Sequence, residues 1–238
     1  MRSRYFLWAF AITAICTLLN RNLDGWPWLD YLLMPGAVPW LLAYAWRRTQ
    51  GAPRNLQVAF LGGIALCIVT DVFSLFAKDS RFIFGVIIVG YSIVNLFYSA
   101  AFVFEVRAYR KPLAFGSLWW SAPFAAALWW LVMQLLWPGI SGLRMLVFFF
   151  CLTFAVLFVF ALARWHAVSD ASFFGVTIGC LLLCLSAFIG AVVSFIVPLP
   201  FGILFNNITY FAAQFYIITG VVQQVSLMRK SSHPSSAS

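Results

Sequence analysis

The sequence predicts an all-α, polytopic membrane fold, and three observations carry that prediction. Eight apolar runs near 20 residues follow one another along 238 residues. Only 9% of residues are charged, against about 25% in an ordinary soluble domain. The charges that exist gather in the short segments between the runs. A hydrocarbon core about 30 Å thick needs roughly 20 apolar residues per helix, so each run is long enough to span.

The spans are expected at 5–20, 30–46, 56–76, 82–104, 113–136, 144–163, 173–196 and 202–227. Arg2 and Arg4 ahead of the first run resemble the start of a signal peptide. The run ends in Leu18-Leu19-Asn20-Arg21, which is wrong for a cleavage site, so it reads as a first transmembrane helix. Pro35-Gly36 and Pro39 in the second run mark a candidate kink near its outer end. Trp26, Trp28, Trp46, Trp137 and Trp165 fall at run ends, as interfacial anchors do, and the Trp119-Trp120 and Trp129-Trp130 pairs suit belts or lipid-facing packing. The domain is expected to cover 1–230, with a polar, disordered tail over 231–238.

Orientation follows from the basic residues. With the N-terminus inside, Arg2, Arg4, Arg47, Arg48, Arg54, Arg107, Arg110, Lys111, Arg164, Arg229 and Lys230 are cytoplasmic. Arg21, Lys78, Arg81 and Arg144 are outside, which divides the 15 basic residues 11 to 4. That bias predicts both termini inside and an even number of spans. The net charge of +9 therefore speaks of loops and anionic lipid, not of nucleic acid. The loop-poor design suits a bacterial cytoplasmic membrane. Spans three and four faintly echo spans seven and eight: the run Gly63–Asp71 lays on Gly179–Ala187, and Tyr91-x-x-x-Asn95 on Tyr210-x-x-x-Gln214. A shift of four helices keeps the orientation, so the echo points to two parallel four-helix halves.

The chemistry centres on Asp71. It is the carboxylate that lies well inside an apolar run, and a charge in hydrocarbon costs about 2.5–3.5 kcal/mol on insertion scales. Such a group is kept where it pairs or lines a wet cavity. Tyr91 and Asn95, four apart, are expected on one helix face with Ser92 and Ser99 nearby. Tyr210 and Gln214 share a face of the last span, with Asn207 one turn outward. At the helical rise, Asp71 lies about 8 Å below its outer end, the two tyrosines about 13 Å, and Asn95 and Gln214 about 20 Å. These depths outline a funnel opening outward. Simpler roles stand beside this one. Asn95 and Gln214 also suit interhelical hydrogen bonding worth about 0.6–2 kcal/mol each, the tyrosines suit packing, and Asp71 suits a neutral structural carboxyl. The five cysteines, Cys16, Cys67, Cys151, Cys180 and Cys184, lack metal-ligand spacing and read as small apolar packing residues. His166 and His233 lie in a loop and the tail, so no metal or other cofactor is expected. The sequon Asn207-Ile-Thr209 lies too near the membrane to read as a glycosylation site.

These residues, taken in order, resemble the YhhN-type lysoplasmalogenase family of eight-helix membrane proteins over roughly residues 30–225. The anchors are the small-residue run ending in Thr70-Asp71, then Phe84-Gly85 through Asn95-Leu96-Phe97-Tyr98, then Pro198-Leu199-Pro200 with Thr209-Tyr210-Phe211-Ala212-Ala213-Gln214. The chain departs from the family where Asn95 replaces a His, Ala187 replaces an Asp after Ser186, and Met34-Pro35 replaces a Lys-Pro. The resemblance implies hydrolysis of the vinyl-ether bond of a lysoplasmalogen to a fatty aldehyde and a glycerophospho-base. For that reaction Asp71 is the candidate proton donor and Tyr91, Asn95, Tyr210 and Gln214 are candidates to position water; with Asn207 they are the expected substrate contacts, for a lysophospholipid or other amphiphile. Two other roles stand beside it: a non-catalytic relative that binds or senses a lipid or other apolar ligand, and, suggested by the internal echo, a small transporter using Asp71 as its proton site.

Overall fold

A computed structural model describes residues 4–22, 27–76, 80–108, 118–140 and 142–232. Arg2, Trp26, Lys78, Asp79, Arg110, Lys111 and residues 233–238 of the expected tail lie outside that range, as do the side chains of Trp119, Trp120 and Lys230. Among the described residues there are eight helices and no strand. They are α1 (Arg4–Asn22), α2 (Pro27–Thr49), α3 (Arg54–Ser74), α4 (Arg81–Ala108), α5 (Leu118–Leu136), α6 (Arg144–Leu162), α7 (Asp170–Phe195) and α8 (Gly202–Ser232). Helices α3, α4, α6, α7 and α8 are long and apolar enough to cross a membrane. Helix α2 continues through Pro35 and Pro39, and α8 reaches Ser232, two residues into the expected tail.

The chain packs as consecutive hairpins, with α1 on α2, α3 on α4 and α7 on α8. Helix α3 lies between α2 and α4, α6 touches α4, α5 and α7, and α8 touches α1, α2 and α7. The main core draws on α2, α3, α4, α7 and α8 around Leu41, Phe60, Ile64, Phe102, Ile217 and Val221. A smaller cluster joins α4, α5 and α6 around Ile88, Met133, Leu136 and Val147. Large apolar side chains such as Val58, Phe82, Trp130, Met145, Phe149 and Phe174 are exposed on the outside. A water-soluble protein rarely shows so much contiguous apolar surface; against lipid tails it is the expected exterior.

Lipid tails are as apolar as leucine, so helix pairing here depends on close packing and on polar contacts between helices. Small residues let α3 and α4 approach. A Cβ added at Gly63 would meet the Tyr98 ring at 3.1 Å, and one at Gly90 would meet Thr70 Oγ1 at 2.5 Å. These approaches bring Asp71 on α3 level with Tyr91 on α4.

One polar contact was not expected. Glu105, near the C-terminal end of α4, is as fully buried as Asp71. Its Oε2 accepts from Arg164 Nε at 2.8 Å. Arg164 Nη2 donates to Ser172 Oγ at 2.7 Å, and its guanidinium lies over the Phe102 ring at 5.1 Å. The sequence reading gave Glu105 no role, because it falls one residue past the 82–104 run. Arg164, counted from sequence only as a loop charge, ties α4 to the α6–α7 turn and the start of α7. Ser169 caps α7 beside it, and its backbone N–H donates to Gln224 Oε1 at 2.9 Å.

Candidate functional site

Asp71 sits near the end of α3, where Ser74 Oγ donates to its backbone carbonyl at 2.7 Å. Its side chain is 0% exposed. The Tyr91 hydroxyl, from α4, donates to Oδ1 at 2.6 Å. The Tyr210 hydroxyl, from α8, lies 2.7 Å from both Oδ1 and Oδ2. The two rings meet edge to face with centroids 6.5 Å apart. Three helices thus converge on one carboxyl, and three of the six expected site residues (Asp71, Tyr91 and Tyr210) are in direct contact.

Gln214 joins the same network through a residue the sequence reading set aside. Cys67, one turn before Asp71 on α3, has its Sγ 3.0 Å from the Tyr210 oxygen. Gln214 Nε2 donates to that sulfur at 3.3 Å, and the Tyr98 hydroxyl donates to Gln214 Oε1 at 2.8 Å. A tyrosine hydroxyl has one proton, and that of Tyr210 points to Asp71. While Asp71 is ionised, the thiol is therefore the donor to Tyr210. Every donor then points the same way: Tyr98 to Gln214, Gln214 to Cys67, Cys67 to Tyr210, Tyr210 to Asp71. Cys67 was expected only to fill apolar space; its place four residues before Asp71, on the same helix face, was the available signal. Tyr98, seven residues past Tyr91, was legible by the same spacing.

Asn95 does not belong to this network. Its Nδ2 donates to Thr153 Oγ1 on α6 at 3.2 Å, while its carbonyl accepts from Ser99 at 2.7 Å. Four residues turn a helix by about 400°, so Asn95 is rotated about 40° from Tyr91. The long tyrosine still reaches α3, whereas the short amide meets α6. Asn207 is 3% exposed, and its Nδ2 has no partner among the described residues. Its neighbour Asn206 accepts from Ser186 Oγ at 2.8 Å, which joins α8 to α7.

A guanidinium stands beyond Asp71, at the C-terminal end of α3. Arg21, in the last turn of α1, donates from Nη2 to Met34 Sδ at 3.0 Å. Ser74 Oγ lies 3.8 Å from the same sulfur. Arg21, Met34 and Ser74 therefore form a connected group one turn beyond Asp71. From sequence, Arg21 was only an outer-loop charge.

The arrangement can hold a carboxyl in either protonation state. As an acid it has one proton to give; as an anion it is met by two hydroxyl donors, and bonds to ionised acceptors are the strong ones.

The description "YhhN family" is that of a family model matching residues 29–221. No curated protein and no solved structure matches the chain. The matched stretch covers most of the sequence and every residue of the Asp71 network, and it coincides with apolar, membrane-crossing helices. This integral membrane protein belongs to the YhhN family.

Proposed function

We propose that the protein is a lysoplasmalogenase-type hydrolase that cleaves the vinyl-ether bond of alkenyl lysophospholipids within the membrane. One observation carries the reading: a single buried carboxyl receives the hydroxyls of both Tyr91 and Tyr210. In the first step Asp71 gives its proton to the alkene carbon remote from the ether oxygen. The electron pair of the double bond forms the new C–H bond, which leaves an oxocarbenium ion. The resulting carboxylate is stabilised by the two tyrosines while the cation lies beside it. Water then adds to the oxocarbenium carbon and returns a proton to Asp71. The hemiacetal so formed splits into a fatty aldehyde and the glycerophospho-base alcohol. One carboxyl thus serves as acid and then as base, which removes the need for the second carboxylate that Ala187 replaces. Arg21, at the outer end, is suited to face the headgroup phosphate.

In the same reading all eight helices cross the membrane with both termini in the cytoplasm, in a bacterial cytoplasmic membrane. In this reading the α3–α4 and α7–α8 hairpins, equivalent in the sequence echo, belong to two parallel four-helix halves.

The test is aldehyde release from alkenyl-lysophosphoethanolamine by purified protein, run in deuterium oxide. The reading expects aldehyde bearing one deuterium at C2, and none from Asp71→Asn. No aldehyde above the detergent blank would overturn it.

A second reading, lipid binding without turnover, is favoured by one specific observation: Asp71 is wholly enclosed, with Tyr210 bridging both of its oxygens. It expects lipid-dependent thermal stabilisation, weakened by Tyr210→Phe, with no product formed.

A further inference from the structure

A groove of about 490 Å³ runs along the outside of the α3–α4 hairpin. That size falls within the roughly 300–1,000 Å³ of ordinary ligand pockets. Its floor is made of small residues, Ala59 on α3 and Ala100 on α4, and Phe97 and Phe104 wall it. From Phe104 to Ile93 it extends about 16 Å along α4. Val58, Ile93 and Leu96 along it are exposed, so it opens outward between the helices rather than inward to Asp71.

The two ends differ in chemistry. The Ile93 end is apolar. The other end is lined by Arg54 and Asn55 in the first turn of α3, both exposed. Arg107, one turn past Phe104 on the same face of α4, is also exposed, and so are Arg47 and Arg48 in the last turn of α2, just before the turn that leads into α3. Among the described residues no carboxylate pairs with Arg54 or Arg107. Glu105, the nearest acidic residue along α4, is buried and committed to Arg164. Asp170 begins α7, a helix with which α3 makes no substantial contact.

We propose that this groove is a binding site for an anionic phospholipid, with the phosphate at Arg54 and Arg107 and one acyl chain lying over Ala59 and Ala100 toward Ile93. The charge complementarity selects the occupant: an acyl chain fits the apolar length, and the cationic mouth lies where a headgroup would be. A zwitterionic choline lipid brings the same chain and phosphate, but its quaternary ammonium lies among the arginines and opposes them. The site does not depend on the hydrolysis reading, because its lipid is held from the end opposite Arg21 and Asp71. It is a retained lipid rather than the substrate.

The test uses the full-length protein in lipid nanodiscs containing phosphatidylglycerol with a diazirine in one acyl chain, and in a parallel set the phosphatidylcholine analogue. Sites of photolabelling are mapped by mass spectrometry. The proposal expects label on Leu96, Phe97, Ala100 and Phe104, several-fold stronger with the glycerol headgroup. Arg54→Gln, a surface change, narrows that ratio, and Arg54→Gln with Arg107→Gln brings the two headgroups level. Ala100→Trp fills the groove and removes the label with either headgroup, at an unchanged melting temperature. Equal labelling by both analogues in wild type, or label spread as heavily over the exposed α6 residues Met145, Phe149 and Leu152, means annular lipid only and overturns the proposal. So does groove labelling indifferent to Arg54→Gln.

Discussion

Replacing Tyr210 with Phe isolates what the network contributes to Asp71. The change deletes one oxygen and leaves the ring to pack against Tyr91 and Phe211, 6.5 and 5.6 Å away by centroid. It removes the hydroxyl that bridges both carboxyl oxygens at 2.7 Å, and it takes from Cys67 its acceptor. A hydrogen bond to a charged group contributes about 1.5–3 kcal/mol. In the proposed reaction that charge exists on Asp71 only after the proton has left, so the loss falls on the transition state and not on binding. At about 1.36 kcal/mol per factor of ten, aldehyde release should fall about 10- to 150-fold in kcat, with KM little changed. The control is Asn95→Ala. Asn95 bonds Thr153 rather than Asp71, so its removal should cost about 1 kcal/mol of stability and leave kcat within about twofold. Aldehyde is read by a coupled dehydrogenase, and folding by the melting curve of the same preparation. Equal rate losses in the two variants, or an unchanged kcat in Tyr210→Phe, would refute the assignment.

Cys67→Ser keeps a donor to the Tyr210 oxygen and should hold the rate within a few-fold, whereas Cys67→Ala should lower it, both followed by aldehyde release. Gly90→Ala places a Cβ 2.5 Å from Thr70 Oγ1 and should lower both melting temperature and rate by parting α3 from α4; in a Thr70→Ala background most of that loss should disappear. Arg164→Met leaves Glu105 buried without its counter-charge and should destabilise by about 3–5 kcal/mol, while the Glu105→Met, Arg164→Met double variant should recover most of it in thermal melts. With one carboxyl acting first as acid, the rate should be level at low pH and fall as pH rises through a single ionisation; a bell-shaped profile would require a second titrating group.

The helices and the central acid were legible for a plain reason. Runs of 20 apolar residues have few other folds, and a lone acid within one is conspicuous. The family resemblance was legible from the order of short motifs around Asp71, Asn95 and Gln214, and the family match bears it out. Partnership was harder. Tyr91 and Asn95 share a face by spacing, yet side-chain length and a 40° rotation send them to different helices. Cys67 carries the composition of a packing residue, and only the approach of α8 makes its thiol a donor. Glu105 lies at the expected end of its span, where a carboxylate passes as interfacial; its burial depends on the α6–α7 turn folding Arg164 back over Phe102. Periodicity along one helix says which residues align, but not which neighbouring helix they face.

The enclosure of Asp71 also decides how a substrate could reach it. Both oxygens are occupied, so one hydroxyl must yield before a vinyl ether can approach. Tyr210 is tied twice, to Asp71 and to Cys67, and its side chain is buried. Tyr91 has one bond, to Oδ1, and is only partly buried. Moving Tyr91 therefore breaks one contact, where moving Tyr210 breaks the bridge and the donor chain behind it. In the proposed reaction the opening is therefore expected on the α4 side, where Gly90 packs closely against Thr70. Tyr210 would stay on the carboxyl through the reaction, and Tyr91 would be the residue that parts to admit the lipid and closes again behind it.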